Sequence, residues 1–312
     1  MSTNSNERPA PAPVITFAVP YYSNRDYLIE AIGSVQAQSR SDWLLLVVDD
    51  AGPEPIDDLI AELGDDRISS HRNESNLGLA NNWNRCIGLA TTPWVTLLHA
   101  DDRLEPGYAA AVLAAAERDP TLAAIFTDVV VIGADGAPAR SLPDAVKRFA
   151  RRPNHDHDVV GDEGLSAILA NNYVFCPTLC YRTDLVLDHP FDVRWRMVMD
   201  LDHTAQILLQ HRRLHGIRKP LYQYRRHHSN QTSSLTANAV RFEEEIALYR
   251  ECAAAAADKG WNRAARTARR RTMVRSHLAL QALADLGVGR FGAARRKAGL
   301  LVCDLRSRGA RR

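Results

Sequence analysis

"LLHADDRLEP", residues 97–106, begins as an apolar run suited to a buried strand and stops on two adjacent carboxylates, Asp101 and Asp102. A run of this kind, followed by "EPG" and an alanine-rich stretch, marks the passage from a strand into a helix. The pattern recurs upstream. "VITFAVP" (14–20), "WLLLVVDD" (43–50) and "RISSHRN" (67–73) are short, rich in branched or large apolar residues, and close on Pro, Asp or Asn. "WVTLLHADD" (94–102) and "LAAIFTDVVVI" (122–132) complete five predicted strands. Between them, 25–38, 55–63, 79–90 and 105–118 have helical periodicity, with Leu28, Ile32 and Val35 on one face of the first. Strands alternating with helices at this interval predict right-handed βαβ units and a doubly wound, largely parallel α/β sheet covered on both faces.

Composition bounds what such a sheet can belong to. With 312 residues and 46% hydrophobic content the chain can bury a substantial core. A net charge of +2 is too mild for a nucleic-acid protein, although arginines crowd toward the C-terminus. The first 13 residues, "MSTNSNERPAPAP", hold no apolar h-region and several helix-breaking prolines, and are expected to be a disordered leader. No apolar run approaches the roughly 18 residues of a spanning helix, so a cytoplasmic protein is expected. Five cysteines form no CxxC pair and should be reduced and mostly buried. Cys176 and Cys180, in "YVFCPTLCYR", are expected on one face of a strand.

In open sheets of this class, ligands bind outside the carboxyl ends of the strands. Polar residues collect at those ends: Pro20 and Tyr22 after the first strand, Asp49 and Asp50 after the second, Asp101 and Asp102 after the fourth. Taken singly, such aspartates are commonly helix caps and turn formers. Their repetition at three strand ends points to one crevice. Paired carboxylates on a rigid strand end suit a divalent cation that stabilises a diphosphate leaving group.

The successive stretches "VPYYSNRDYLIEAIGSVQAQS", "LLLVVDDAGP", "NESNLGLANNWNRCIGLA" and "WVTLLHADDRLEPGY" resemble, in order and spacing over about residues 14–110, the motifs of family 2 glycosyltransferases with the GT-A fold. The resemblance implies inverting transfer of a sugar from a nucleoside diphosphate donor, UDP being the commonest, with Mn²⁺ or Mg²⁺ as cofactor. It implies Tyr22 against the base, with Pro20 beside it, Asp49 or Asp50 on base or ribose, and the acids of "HADD" at the metal. His99 stands where the first acid is usual, so Asp101 and Asp102 would carry the metal and ribose contacts between them, with His99 a donor to ribose or phosphate or a packed group in place of a primary ligand of the hard cation. Asn76, Gly78 and Asn84 match further family positions, whereas Trp83 replaces a basic residue.

Two downstream elements resemble the family as well. "RMVMDLDHTAQILLQH" (196–211) has the apolar spacing of a buried helix and is similar to the Glu-Asp motif, with Asp200 on the Asp that acts as base and Met199 where Glu is usual. Asp202 is the alternative base. "PLYQYRRHHSNQTSS" (220–234) looks like the C-terminal "YRxH" element. His227 would then complete the metal sphere, while Arg225 and Arg226 offer paired donors for phosphate. The loop 228–239 could close over bound donor.

The implied organisation is a leader (1–13), a GT-A domain (14–239) with a nucleotide-binding half (14–135) and an acceptor-binding half (136–239), and a C-terminal helical region (240–312). Residues 165–185 are expected to form a helix, a strand and a turn. The C-terminal region should contain two or three helices, either a packed cap or a basic face that rests on anionic lipid. "GVGRFG" (287–292) follows a helix and lacks a downstream acidic strand, against a dinucleotide site. "HDHD" (155–158) is expected in a surface loop. The implied acceptor is a hydroxyl of a glycan, a lipid-linked sugar or a small molecule, in polysaccharide or glycoconjugate biosynthesis. A nucleotidyltransferase using the same acids, and a degenerate nucleotide-sugar binding protein lacking turnover, are the other readings.

Overall fold

β1 (Ile15–Tyr21) lies at the centre of one half of a nine-stranded sheet, and its burial pattern shows why. Ile15, Phe17, Val19 and Tyr21 belong to one buried cluster, whereas Ala18 belongs to the cluster on the opposite face. A strand buried on both sides needs helices on both sides. The structure, a computed structural model, describes residues 12–139, 153–226 and 239–309.

From β1 the chain continues through α1 (Arg25–Gln36), β2 (Trp43–Asp49), α2 (Asp57–Leu63), β3 (Ile68–Arg72), α3 (Leu79–Leu89) and β4 (Trp94–Leu97). These four strands pair in parallel in the order β3-β2-β1-β4. The second half comprises β5 (Arg103–Leu104), α4 (Tyr108–Arg118), β6 (Leu122–Ile132), β7 (His157–Val159), α5 (Gly161–Asn171), β8 (Cys180–Arg182), α6 (Thr183–Asp188), α7 (Met199–Leu209) and β9 (Arg213–Arg225). Here β8 runs antiparallel between β4 and β6, and β9 runs parallel to β6. The outer edge of β9 is covered first by β7 and then by β5, both antiparallel. The sheet is thus the expected largely parallel α/β sheet, with antiparallel strands added in its second half.

Several local expectations change. The fourth strand ends at Leu97 instead of running to Asp102, so the acids sit in a turn beyond it. His157 and Asp158 of "HDHD" are not loop residues but strand residues. Asp158 takes Arg213 at 2.5 Å and His215 at 2.7 Å, and the His157 ring packs on Phe126 and Tyr173. Cys176 and Cys180 are both buried, but Cys176 lies in a 3-10 turn (Cys176–Thr178) and does not share a strand face with Cys180. All five cysteines are free thiols.

Among the described residues four helices, not two or three, follow residue 239: α8 (Val240–Asp258), α9 (Asn262–Arg270), α10 (Thr272–Gly287) and α11 (Phe291–Gly309). Left-handed backbone at Gly260, Arg271 and Gly289 separates them. "GVGRFG" spans the last residue of α10, the turn 288–290 and the start of α11. None of the described helices is long and apolar enough to cross a membrane.

Candidate active site

β1 and β2 run past the end of β4: Ala18 pairs with Leu97, and Tyr21 with Asp49. This leaves a step at the carboxyl edge of the sheet. After Leu97, the Leu98 N–H still reaches the Ala18 carbonyl at 3.0 Å; the Asp102 N–H then bonds to the His99 carbonyl at 3.1 Å and closes a turn. His99, Asp101 and Asp102 each present a ligand atom there, all within 4.8 Å of one another. Ligands held about 2.0–2.6 Å from one divalent cation span such a distance, so the group fits a metal. His99 Nε2 is buried without a hydrogen-bond partner, which leaves a nitrogen for a ligand the protein does not supply. Burial lowers the His99 pKa, against the charge of Asp101, and keeps the ring neutral.

The two acids differ in their surroundings. Asp102 is fully buried: one oxygen accepts the Tyr222 hydroxyl at 2.9 Å and the other the Arg225 N–H at 2.7 Å. Burial, then the charge of Asp101, pushes its pKa well above the usual carboxylate range, and the bonds from Arg225 and Tyr222 pull the other way. Asp101 is partly exposed. The acid turn is held in place by Arg225, which is itself buried. Its Nε donates to the Asp101 carbonyl at 2.7 Å, one terminal nitrogen to the Ala134 carbonyl at 2.9 Å, and the other to Glu30 at 2.5 Å. The guanidinium also lies over the Tyr27 ring, 4.4 Å from its centroid. The arginine expected at donor phosphate is therefore engaged by protein on all three nitrogens, because the pairing of β9 with β5 brings it beneath the acid turn.

The carboxylates after β2 are similarly engaged. Asp49 is fully buried, accepts the Gly52 N–H at 2.8 Å and pairs with Arg72, which also donates to the Gly52 carbonyl at 2.8 Å. Gly52 is needed there: a β-carbon would lie 2.0 Å from the Tyr22 carbonyl oxygen. Asp49 thus shapes the loop beside Tyr22, whose ring is 51% exposed. Asp50 accepts from Asn73 at 2.9 Å and from the N–H groups of Leu77 and Gly78 at 2.8 and 3.0 Å. It orders the Asn76–Gly78 turn before α3. Pro20 is partly buried in β1, opposite Val48.

Asp200 occupies the first turn of α7 and is partly exposed, with the Leu201 N–H on its carboxylate at 2.8 Å. Buried Cys176 and partly buried Glu245 have raised pKa values, from desolvation first and with the charge of Asp200 contributing. Asp202 is buried, bonds to Gln206 at 3.2 Å, and is pushed up chiefly by desolvation. A run of rings connects α7 to the acid turn: Trp83 lies 5.3 Å from His99 and 5.1 Å from Phe191, and Phe191 stacks on His203 at 4.3 Å. Asn84 exchanges two 2.9 Å hydrogen bonds with the Phe191 backbone. Trp83 and Asn84 thus tie α3 to the acid turn and to the segment that leads into α7. His227 and the loop 228–238 lie outside the described residues.

Residues 16–167 match the family model described as Glycosyl transferase family 2. Over these residues the chain is similar to that family. Among relatives of the family 2 domain, the Escherichia coli (strain K12) protein named "Putative colanic acid biosynthesis glycosyl transferase WcaA" is 27% identical over 206 residues, covering 63% of this chain and 72% of that protein. The Rhizobium meliloti (strain 1021) succinoglycan biosynthesis protein ExoO is 28% identical over 141 residues, covering 45% of this chain and 40% of that one. Among solved structures, S. aureus TarS 1-349 in complex with UDP-GlcNAc shares the fold with a TM-score of 0.60 at 18% identity, covering 77% of this chain and 66% of that one. The mannosyltransferase PcManGT from Pyrobaculum calidifontis, in complex with GDP-Man and Mn²⁺, has a TM-score of 0.58 at 16% identity, covering 94% and 81%.

The family motifs do not reveal the residues that hold the site together. Arg72, Asn73, Asn82, Glu30 and Tyr222 all act across long sequence separations. One signal was present for Asn82: a polar side chain on the inward face of "LANNWNRC" must find partners, which are Asn73 and the Val48 carbonyl at 3.0 and 3.2 Å.

Proposed function

We propose that this family 2 glycosyltransferase moves a sugar from a nucleoside diphosphate donor, UDP before GDP or dTDP, to an acceptor hydroxyl with inversion at the anomeric carbon, in polysaccharide biosynthesis. The observation that carries this reading is the convergence of His99, Asp101 and Asp102 at the carboxyl edge of a family 2 sheet. The relatives named for colanic acid and succinoglycan biosynthesis support the pathway class. The neighbours holding UDP-GlcNAc or GDP-Man support the donor class.

In this reading the half-exposed Tyr22 ring lies along the base, with Pro20 behind it, and Asp49 and Asp50 set the loops that border base and ribose. Asp101 and His99 face a divalent cation, Mn²⁺ or Mg²⁺. Asp102 shares in that site while Tyr222 and Arg225 fix its position. When bound, the cation supplies charge stabilisation to the departing diphosphate. Arg225 positions the acid turn and does not touch phosphate. Asp200 takes the proton from the acceptor hydroxyl as its oxygen bonds to the anomeric carbon and the diphosphate leaves from the opposite side. Asp202, buried against Gln206, is the weaker candidate for base.

A calorimetric panel of UDP-, GDP- and dTDP-sugars with and without Mn²⁺ tests the donor assignment, and a metal-dependent response to one of them is expected. Asp200→Asn should keep that response yet lose transfer by about 10²–10⁴-fold, the usual contribution of a general base. Undiminished transfer removes Asp200 from the role. Donor bound by the parent protein but never consumed returns the binding-protein reading.

A further inference from the structure

Eight of the fifteen large apolar side chains exposed among the described residues fall between Met273 and Leu305, on the α10–α11 hairpin. On α10, Met273, Leu280 and Leu283 lie on the outer side; Leu286 and Val288 carry the ridge to the turn, and Phe291 begins α11. On α11, Phe291, Arg295, Ala298, Val302 and Leu305 follow one another by four, three, four and three residues and are all exposed, which places them on one face. Leu283 and Val288 are 64% and 68% exposed, and Phe291 reaches 70%. A continuous apolar ridge of this extent marks an interaction surface.

The charges around it are of one sign. Residues 259–312 contain fifteen Lys and Arg but only two acids, Asp285 and Asp304, although the whole chain carries a net charge of only +2. Both acids are turned inward. Asp285 accepts Lys297 at 2.6 Å, and Asp304 accepts Arg271 and Arg275 at 2.9 and 2.8 Å. Arg290, Arg295 and Arg306, by contrast, are exposed. An apolar ridge flanked by arginines, with no exposed acid of its own, is complementary to a negatively charged bilayer surface. A second copy of the same ridge would bring arginines against arginines, which argues against self-association.

We propose that the α10–α11 hairpin docks the protein on anionic lipid, with Leu283, Leu286, Val288 and Phe291 entering the acyl boundary and Arg290, Arg295 and Arg306 at the headgroups. Docking is independent of the transfer chemistry, since it needs neither donor nor acceptor.

The test is co-sedimentation of the full chain with vesicles of phosphatidylcholine alone or mixed with phosphatidylglycerol. Three arginines at the surface predict roughly 100-fold tighter binding to the mixed vesicles, weakening with added salt. Leu283→Glu with Phe291→Glu, at two exposed positions that leave the core intact, should abolish binding without changing the far-ultraviolet circular dichroism. Arg295→Glu with Arg306→Glu should remove the preference for phosphatidylglycerol. Failure to bind either vesicle, or equal binding to both, overturns the proposal. So does a concentration-dependent dimer that the Leu283/Phe291 pair dissociates, because the ridge then belongs to a second copy.

Discussion

Replacing Arg225 by Lys separates two roles that the sequence alone leaves together. A phosphate contact would tolerate lysine in the free protein, because the positive charge persists and no protein partner is lost. The structure gives Arg225 three directed bonds, to Asp101, Ala134 and Glu30, and a ring beneath the guanidinium. A lysine ammonium can reach one of these partners, so two charge-assisted bonds are lost at about 1.5–3 kcal/mol each. Some relaxation is available because Glu30 is 38% exposed, which brings the expected loss to roughly 3–5 kcal/mol. Urea unfolding of donor-free Arg225→Lys, read by circular dichroism, measures it. Unchanged stability combined with a lower donor affinity would refute the positioning role and restore the phosphate contact.

Three further outcomes are expected. Gly52→Ala, which puts a carbon 2.0 Å from the Tyr22 carbonyl, should cost about 1–3 kcal/mol and raise donor KM, whereas Gly33→Ala in the open, exposed part of α1 should stabilise by about 0.5–1 kcal/mol. Urea midpoints of the two variants make the comparison. His203, buried against Phe191, is pushed down to about 4. Because the folded state holds its proton less tightly than the unfolded chain, stability is full above the unfolded pKa and falls with pH toward 4. That loss is roughly 2 kcal/mol between about pH 7.5 and pH 5, and His203→Phe should flatten it when unfolding is followed across that range. Asp304→Asn leaves Arg271 and Arg275 without their carboxylate and should cost about 3–5 kcal/mol, seen as earlier urea unfolding of the C-terminal helices. The Asp304 pKa is lowered, its burial outweighed by its bonds to Arg275 and Arg271. The contribution it makes is therefore present above the ordinary carboxylate range and fades as pH falls through the depressed value.

What the sequence determines here is local. The short apolar runs of β1 to β4 and the helical periodicity of α1 to α4 are written in consecutive residues, and so is the placement of Asp49, Asp50, Asp101 and Asp102 at the ends of apolar runs. The family motifs follow from the same short stretches, since each spans one strand end and the helix after it. The second half of the sheet was less legible. β5, β7 and β8 have two or three residues each, too few for a period to register. The second half of "HDHD" is a strand because His157 and Asp158 pair with Gly216 and His215 of β9, with Asp158 also meeting the Arg213 and His215 side chains. The tertiary structure alone decided which strand-end groups face a ligand and which brace the site. Asp102 meets Tyr222 across 120 residues and Arg225 meets Glu30 across 195. Whether a carboxylate or guanidinium is spent on protein or left for a ligand depends on partners brought by chain closure, and no window of consecutive residues contains them.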